Sequence, residues 1–503
     1  MTGKCDMRYL MGIDLGTSSV KAMITDENGV IHGLGQVGYE IHTPEIGYVQ
    51  QDPLKWWTAT KEAVRQAIKC VDFTTEKIQG IGLSGQMHGM VALDENKKVL
   101  YPAIIHLDAR STEERKIIQE IAADLIQSEL MNQPSTGMMI CSLLWIKNHM
   151  EQQYEKIRYV LSPKDYIRFQ LTGEISSEVS DASATLAFSV KNRSWCKALF
   201  KRLDLKEDIW PKVLNSQEIA GTITKEVHHE TGLPENTKVV AGAGDCFAAM
   251  VGNGIIKTGI MTCNIGTSSQ IAVVTDKPIC YSDMQCQLWC HAVPGVWAYQ
   301  GGALNGGGTL SWAKNKMLCD GTSFEELDRE IQKVPAGSNG ITFLPYLAGE
   351  RTPFNNPKAR GVYYGLNLKQ GKYDMLRATV EGVLYNLMEC KKIFDAQNLP
   401  QEMLIASGGG ARGMSWKQIQ ADMFAMPVYT TETVEEACMG AAVLAAVGTG
   451  IYGNIEEACK KMVKIKEKPV EPIWENHVRY KEGLQIFEEL YDNLKGMFEK
   501  NKH

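Results

Sequence analysis

An apolar stretch over residues 9–15, interrupted only by Asp14, runs into Gly16-Thr17-Ser18-Ser19, and a second apolar stretch runs out of it. Two strands joined by a tight small-residue turn, a β-hairpin, are the element this pattern predicts. The pattern recurs 250 positions later. Residues 261–276, MTCNIGTSSQIAVVTD, align without a gap on residues 11–26, MGIDLGTSSVKAMITD, with eight of sixteen positions identical. More β-like sequence follows each copy, and each half then ends in mixed helix and strand. The expected architecture is therefore α/β, with one duplicated domain per half and the join near residues 250–258.

Further elements read in the same way. QDPLKWW opens a helix, with Asp52 as N-cap and Pro53 in the first helical position, and the amphipathic pattern continues to about Cys70. IQGIGLSG reads as a buried strand ending in Gly. KVVAGAGD reads as a strand ending in a glycine turn, followed by a small-residue helix start in CFAAMVGNG. LIASGGGARG reads as strand then glycine loop, and MSWKQIQADMF as the helix after it. The charged tail beyond Ile455 reads as a solvated helical outer layer. A glycine trio in GLGQVG, at 33–38, sits within β-like sequence and opens no helix, so it is not a dinucleotide site.

Length and charge narrow the class. A chain of 503 residues exceeds one ordinary core, so two large domains are expected, 1–252 and 253–503. A net charge of −6 disfavours nucleic acid as a partner, because that binding depends on Lys and Arg neutralising phosphates. The most apolar run, at 441–447, is far shorter than the roughly 20 residues of a membrane span. The opening residues lack a signal-peptide pattern, which points to the cytoplasm. Thirteen scattered cysteines read as reduced thiols. Cys280, Cys286, Cys290 and His291 cluster without a standard zinc spacing, and no metal site is expected there.

Several stretches carry candidate chemistry. Backbone N–H groups in the two GTSS turns can form anion-binding nests, so two such turns on opposite walls of a cleft would grip a polyphosphate. One carboxylate, Asp14, suffices to hold a Mg2+ ion travelling with the phosphates. A neutral Asn264 on the other wall avoids repelling them. Asp245, after a strand and two glycines, fits a general base taking a proton from an attacking hydroxyl, and it equally fits a helix cap. In GLSGQMHGM, Gln86 and His88 can bond sugar hydroxyls while Met87 shapes the wall; a core histidine satisfies the same pattern. SGGGARG can lie flat against an adenine or ribose, or be a tight turn. The Gly- and Pro-rich segment 344–365 is too elaborate for a connector and reads as functional or domain-closing.

In order along the chain stand GIDLGTSS, GQMHG, LSPKDYIRFQLTGE with SDASAT behind it, GAGD, the second GTSS, LPYLAGERTP and GGGAR. From about residue 9 to about 490 the sequence resembles the FGGY carbohydrate kinases of the sugar-kinase, Hsp70 and actin superfamily, and among them the xylulokinases. The resemblance implies two ribonuclease-H-like domains around a central cleft and ATP-dependent phosphorylation of a sugar hydroxyl, with D-xylulose as the implied acceptor. Ribulose, gluconate or similar acceptors, or a non-catalytic sugar sensor, are the alternatives. It implies Asp245 as base, Asp14 near Mg2+, and Gly16, Thr17, Ser18, Gly266 and Thr267 as phosphate hairpins. It also implies Gly307, Gly409 and Gly410 as the nucleotide pocket, Met87 and His88 as the sugar pair, and a homodimer. Two departures stand out. Where xylulokinases show Trp-Asn-Asp-x-Arg, this chain has His106-Leu107-Asp108-Ala109-Arg110, keeping Asp108 beside the expected sugar pocket. Where Lys is common, it has Ser142.

Overall fold

A computed structural model describes residues 7–280, 284–318 and 321–500. The ends of the two expected domains and of the signal-peptide reading, 1–6 and 501–503, lie outside the described residues. Both GTSS stretches form hairpins. Tyr9–Leu15 pairs antiparallel with Ser19–Asp26, and Gly259–Ile265 with Ser269–Thr275. Each hairpin is the centre of a sheet of the same plan. A third antiparallel strand flanks one side, Ile31–Gly38 in the first sheet and Trp297–Ala303 in the second. A parallel strand flanks the other, Ile78–Gly85 and Gln401–Gly408 respectively. These are the two ribonuclease-H-like α/β domains the repeat announces.

The two copies differ in register. In the first hairpin Asp14 stands opposite Lys21, and in the second Asn264 stands opposite Gln270, so the second turn closes one residue earlier. Opposed residues of an antiparallel pair share a face. The first wall therefore shows a carboxylate beside an ammonium, and the second shows two amides. Gln300 Nε2 donates to Gln270 Oε1 at 3.0 Å and extends the amide surface.

Helices cover both sheets, and close packing explains several glycines. Asp52 accepts from Leu54 N–H at 2.9 Å and caps the helix Pro53–Lys69, as its sequence predicts. Gly33 and Gly35 on the neighbouring strand lie against the backbone of Ala67 and Ala63, where a Cβ has no room. The GLGQVG trio thus serves helix-on-sheet packing.

One helix knits the halves together. Glu436–Gly448 belongs to the second half in sequence, yet it packs on the first sheet, with Gly12 against the Cys438 carbonyl and Gly82 against that of Ala441. It also crosses the helix Asp245–Gly252, with Gly440 on the Ala248 carbonyl and Gly252 on that of Glu436. All of the apolar run 441–447 but Val447 is buried in this helix. No helix among the described residues is long and apolar enough to cross a membrane.

The tail departs from its expectation. Helix Trp474–Phe498 buries Tyr480, Leu484, Phe487, Tyr491 and Phe498, so only part of its surface is solvated. These aromatics pack with Tyr346, Phe354 and Tyr385. The charge count concealed an apolar stripe at helical spacing.

Candidate active site

Three glycine segments of the second domain meet around one cavity. Gly307 N–H donates to the Gly266 carbonyl at 2.8 Å, and Gly308 N–H to that of Thr267 at 3.1 Å. A Cβ on Gly307 would lie 2.8 Å from the Gly266 carbonyl oxygen, and one on Gly410 would lie 2.5 Å from Ile265 Cβ. Side chains are thus excluded by packing. Gly266, Thr267, Gly307, Gly409 and Gly410 all line a cavity of about 650 Å³ that Trp416 also lines. That size accommodates a nucleotide-sized ligand.

The first turn is braced from behind. Gly16 N–H donates to Ser19 O at 3.0 Å. The carbonyls of Gly16, Thr17 and Ser18 accept from the Tyr39 hydroxyl, Gln51 Nε2 and Tyr39 N–H. Tying back these carbonyls removes lone pairs that would repel an anion. Trp56 Nε1 (3.2 Å) and Gln86 Nε2 (3.0 Å) donate to Gln51 Oε1 beneath the turn. Gln86 is therefore a support of this turn, while its Oε1 is buried without a partner among the described residues.

Asp245 begins its helix directly after Ala243–Gly244, a short segment paired with the end of the strand Ile78–Gly85. It shares a cavity of about 300 Å³ with Asn264 and Gln270 of the second domain and with Glu436. One Asp245 carboxyl oxygen accepts from Cys246 N–H at 2.7 Å. Burial, reinforced by the Asp14 charge, nevertheless pushes the carboxyl up to about 7. Asp14 is itself raised, chiefly by burial. The Ser84 hydroxyl donating to it at 2.7 Å and the Lys21 charge oppose that rise. Lys21 pairs at 2.6 Å with Glu435, at the start of the knitting helix.

Met87 packs against Gly244, and its sulfur lies 3.3 Å from Cys246 Sγ, which places it beside Asp245. His88 holds a left-handed φ of 70°, and its Nδ1 bonds the Ala184 carbonyl at 2.7 Å. Burial lowers its pKa to about 4, so it is neutral and its Nε2 is an acceptor. Asp108 is spoken for: Arg110 and the Val49 N–H occupy its carboxylate, and the pair is buried. Through these contacts it anchors the 47–49 segment.

The sequence reading singled out no residue within segment 344–365. Arg351 from that segment donates to the Gly302 carbonyl at 3.1 Å; burial chiefly, and the Arg351 charge in smaller part, lower both His88 and His106. Glu350, bonded by Asn305 at 3.2 Å, is raised to about 7 by burial. The available signal was the polar GERTP run; which of its residues turns toward the cleft is a tertiary matter. Cys290 and His291 are buried with separate partners, the Val190 carbonyl and the Val293 N–H. Among the described residues, no three His, Cys, Asp or Glu side chains form a group able to hold a metal.

Residues 9–252 match the N-terminal domain of the FGGY family of carbohydrate kinases, and residues 261–449 match its C-terminal domain. The chain is an FGGY carbohydrate kinase. This kinase is 32% identical over 491 residues to the xylulose kinase of Bacillus subtilis, covering 98% of each chain. It is 30% identical to the gluconokinase of the same organism, covering 95% of this chain and 94% of that one. Its fold superposes on the ligand-bound xylulose kinase from Lactobacillus acidophilus with a TM-score of 0.91 at 25% identity, covering 98% and 99%. As a carbohydrate kinase it is a phosphotransferase; the Asp245 cavity is lined by residues of both halves, and the glycine-lined cavity by residues of the second half.

Proposed function

We propose that this kinase transfers the γ-phosphoryl group of Mg-ATP to the terminal hydroxyl of a ketopentose, D-xylulose, yielding D-xylulose 5-phosphate. The observation that carries the reading is Asp245. It is a carboxyl raised to about 7, in a cavity shared with the second domain's Asn264 and flanked by Met87. A base of that strength is about half ionised at neutral pH and takes a hydroxyl proton readily in its ionised form.

The residues divide the work. The glycine-lined cavity takes the nucleoside, whose flat base fits where no Cβ intrudes. The two hairpin turns hold the phosphates through backbone N–H groups. Asp14, a single half-buried carboxylate, fits a Mg2+ ion held mainly by phosphates and water, and no protein cage is required. When bound, that ion supplies charge neutralisation on the phosphates. Neutral His88 accepts a hydrogen bond from a sugar hydroxyl through Nε2, and Met87 covers the apolar face of the carbon chain. Asp245 accepts the proton of the attacking hydroxyl as its oxygen bonds to phosphorus and the bond to ADP breaks. Amides rather than acids on the second wall avoid charge repulsion with the phosphates.

A second reading has its own support. His106 Nδ1 is buried without a partner among the described residues, and the Arg351 charge stands close to it. That pairing of an open nitrogen and a guanidinium also suits the carboxylate of an aldonate such as gluconate. Steady-state assays with Mg-ATP and D-xylulose, D-ribulose, D-gluconate or glycerol decide the matter, with products identified by phosphorus NMR. D-Xylulose is expected to give the highest kcat/KM. A higher value for gluconate would overturn the ketopentose reading in favour of the aldonate one.

A further inference from the structure

The stretches LSPKDYIRFQLTGE and SDASAT line neither of the two cavities described above. They instead build a buried ionic cluster. Helix Pro163–Thr172 carries Lys164, Asp165 and Arg168, all fully buried. Lys164 Nζ lies 2.6 Å from Asp165, 3.5 Å from Asp181 and 3.8 Å from Glu178, and Arg168 lies 2.7 Å from Asp165. Such clusters are costly to desolvate and add little net stability over apolar packing. The contacts they make elsewhere are therefore informative.

Those contacts converge on the backbone just before Asp245. Lys164 Nζ and Arg168 Nη1 both donate to the Ala241 carbonyl, at 3.2 and 2.6 Å. At the other end of the turn, Gly244 N–H donates to Ser180 Oγ at 3.0 Å. The Ser180 hydroxyl proton is given to Glu178 at 2.6 Å, which leaves its lone pair for Gly244. Glu178 also accepts from Ser180 N–H, Asp181 N–H and the Ser216 hydroxyl, at 2.8, 2.8 and 3.0 Å. An anion so fully occupied fixes the direction of the serine hydroxyl. Gly244 is the N-cap of the Asp245 helix and has no side chain to orient that turn itself.

We propose that Ser180, aimed by Glu178, is a positioning residue for the base. Together with Lys164 and Arg168 it clamps both ends of the 241–244 turn and fixes where the Asp245 carboxylate points. The proposal rests on the reading of Asp245 as the base. A misplacement of about 1 Å at a reacting group can cost on the order of 10²-fold in rate.

The test compares the wild-type kinase with Ser180→Ala, Ser180→Thr and Asp245→Asn, on the best sugar of the panel above. Ser180→Ala should melt cooperatively near the wild-type temperature. Its kcat should fall about tenfold or more, with KM for sugar and Mg-ATP changed by less than about twofold. Ser180→Thr, which keeps the hydroxyl, should recover most of the lost turnover. A merely structural role would move stability and both KM values together and would not separate kcat from them. Wild-type kcat in a folded Ser180→Ala, or a loss shared by kcat and nucleotide KM, overturns the proposal. Should Ser180→Ala fail to fold, Ser180→Cys, of nearly the same volume but a weak acceptor, is judged by the same two criteria. Asp245→Asn separates the layers. If it turns over normally, the base assignment fails and the proposal with it; if it is inactive while Ser180→Ala is normal, only the positioning role falls.

Discussion

Asp245→Asn is the most informative perturbation, because one substitution should lower activity and raise stability. The amide keeps the volume and removes the charge. In the folded kinase burial and Asp14 raise this carboxyl from 3.8 to about 7. At about 1.4 kcal/mol per pH unit, ionising it in the fold costs on the order of 4 kcal/mol more than in the unfolded chain. The buried amide carries a desolvation cost of its own, about 1–3 kcal/mol, so the net gain expected is about 1–3 kcal/mol. The sign depends on pH. The folded carboxyl binds its proton more tightly than the unfolded one, so its relative stabilisation is complete below the unfolded value of about 4 and is lost as pH rises through about 7. The advantage of Asn should accordingly be absent or reversed near about pH 4, where only the amide's desolvation cost remains, and full near about pH 8. Denaturant midpoints at both pH values measure it. Turnover of the same variant should fall about 10²–10⁴-fold, the usual contribution of a general base. A variant that phosphorylates sugar at the wild-type rate would refute the assignment of the base. One with the same stability gain at both pH values would refute the electrostatic account of its cost.

Three further outcomes follow from the geometry. Sugar phosphorylation should lose kcat/KM as pH falls through about 7, because Asp245 works deprotonated; a pH–rate profile flat down to about pH 5 would contradict this. Gly307→Val drives a Cβ against the Gly266 carbonyl and should displace the turn at the edge of the glycine-lined cavity, raising KM for ATP at least about tenfold while sugar-induced thermal stabilisation persists, as measured by kinetics and melting shifts. Gly440→Ala drives a Cβ into the Ala248 carbonyl where the two central helices cross, and should cost about 3 kcal/mol or more in denaturant titration; a neutral substitution would mean the crossing is looser than described.

Local and periodic features were legible in the sequence. The twin hairpins, the Asp52 cap with Pro53, the strand ending before Asp245 and the glycine loop before Met414–Phe424 all form where their patterns place them. Each is specified by residues within about a dozen positions, where backbone preference and burial periodicity act directly. That glycines next to strand ends pack closely was legible as a class, and those at 266, 307, 409 and 410 line one cavity.

The tertiary structure decided everything that depends on residues far apart in the chain. Gln86 and Asp108 are polar residues near a strand end, and only the fold shows that Gln86 Nε2 bonds Gln51 and that Asp108 pairs with Arg110. The one-residue difference in hairpin register, which sets Lys21 opposite Asp14 but Gln270 opposite Asn264, is invisible to a gapless alignment. Helix Glu436–Gly448 crosses to the first sheet because its small residues fit the Gly12 and Gly82 backbone, a match no window on the chain can show. The strength of Asp245 is likewise a property of its surroundings. Identical carboxyls differ by the water they lose and the charges they face, and both are fixed only once Asp14 and the second domain are folded against it.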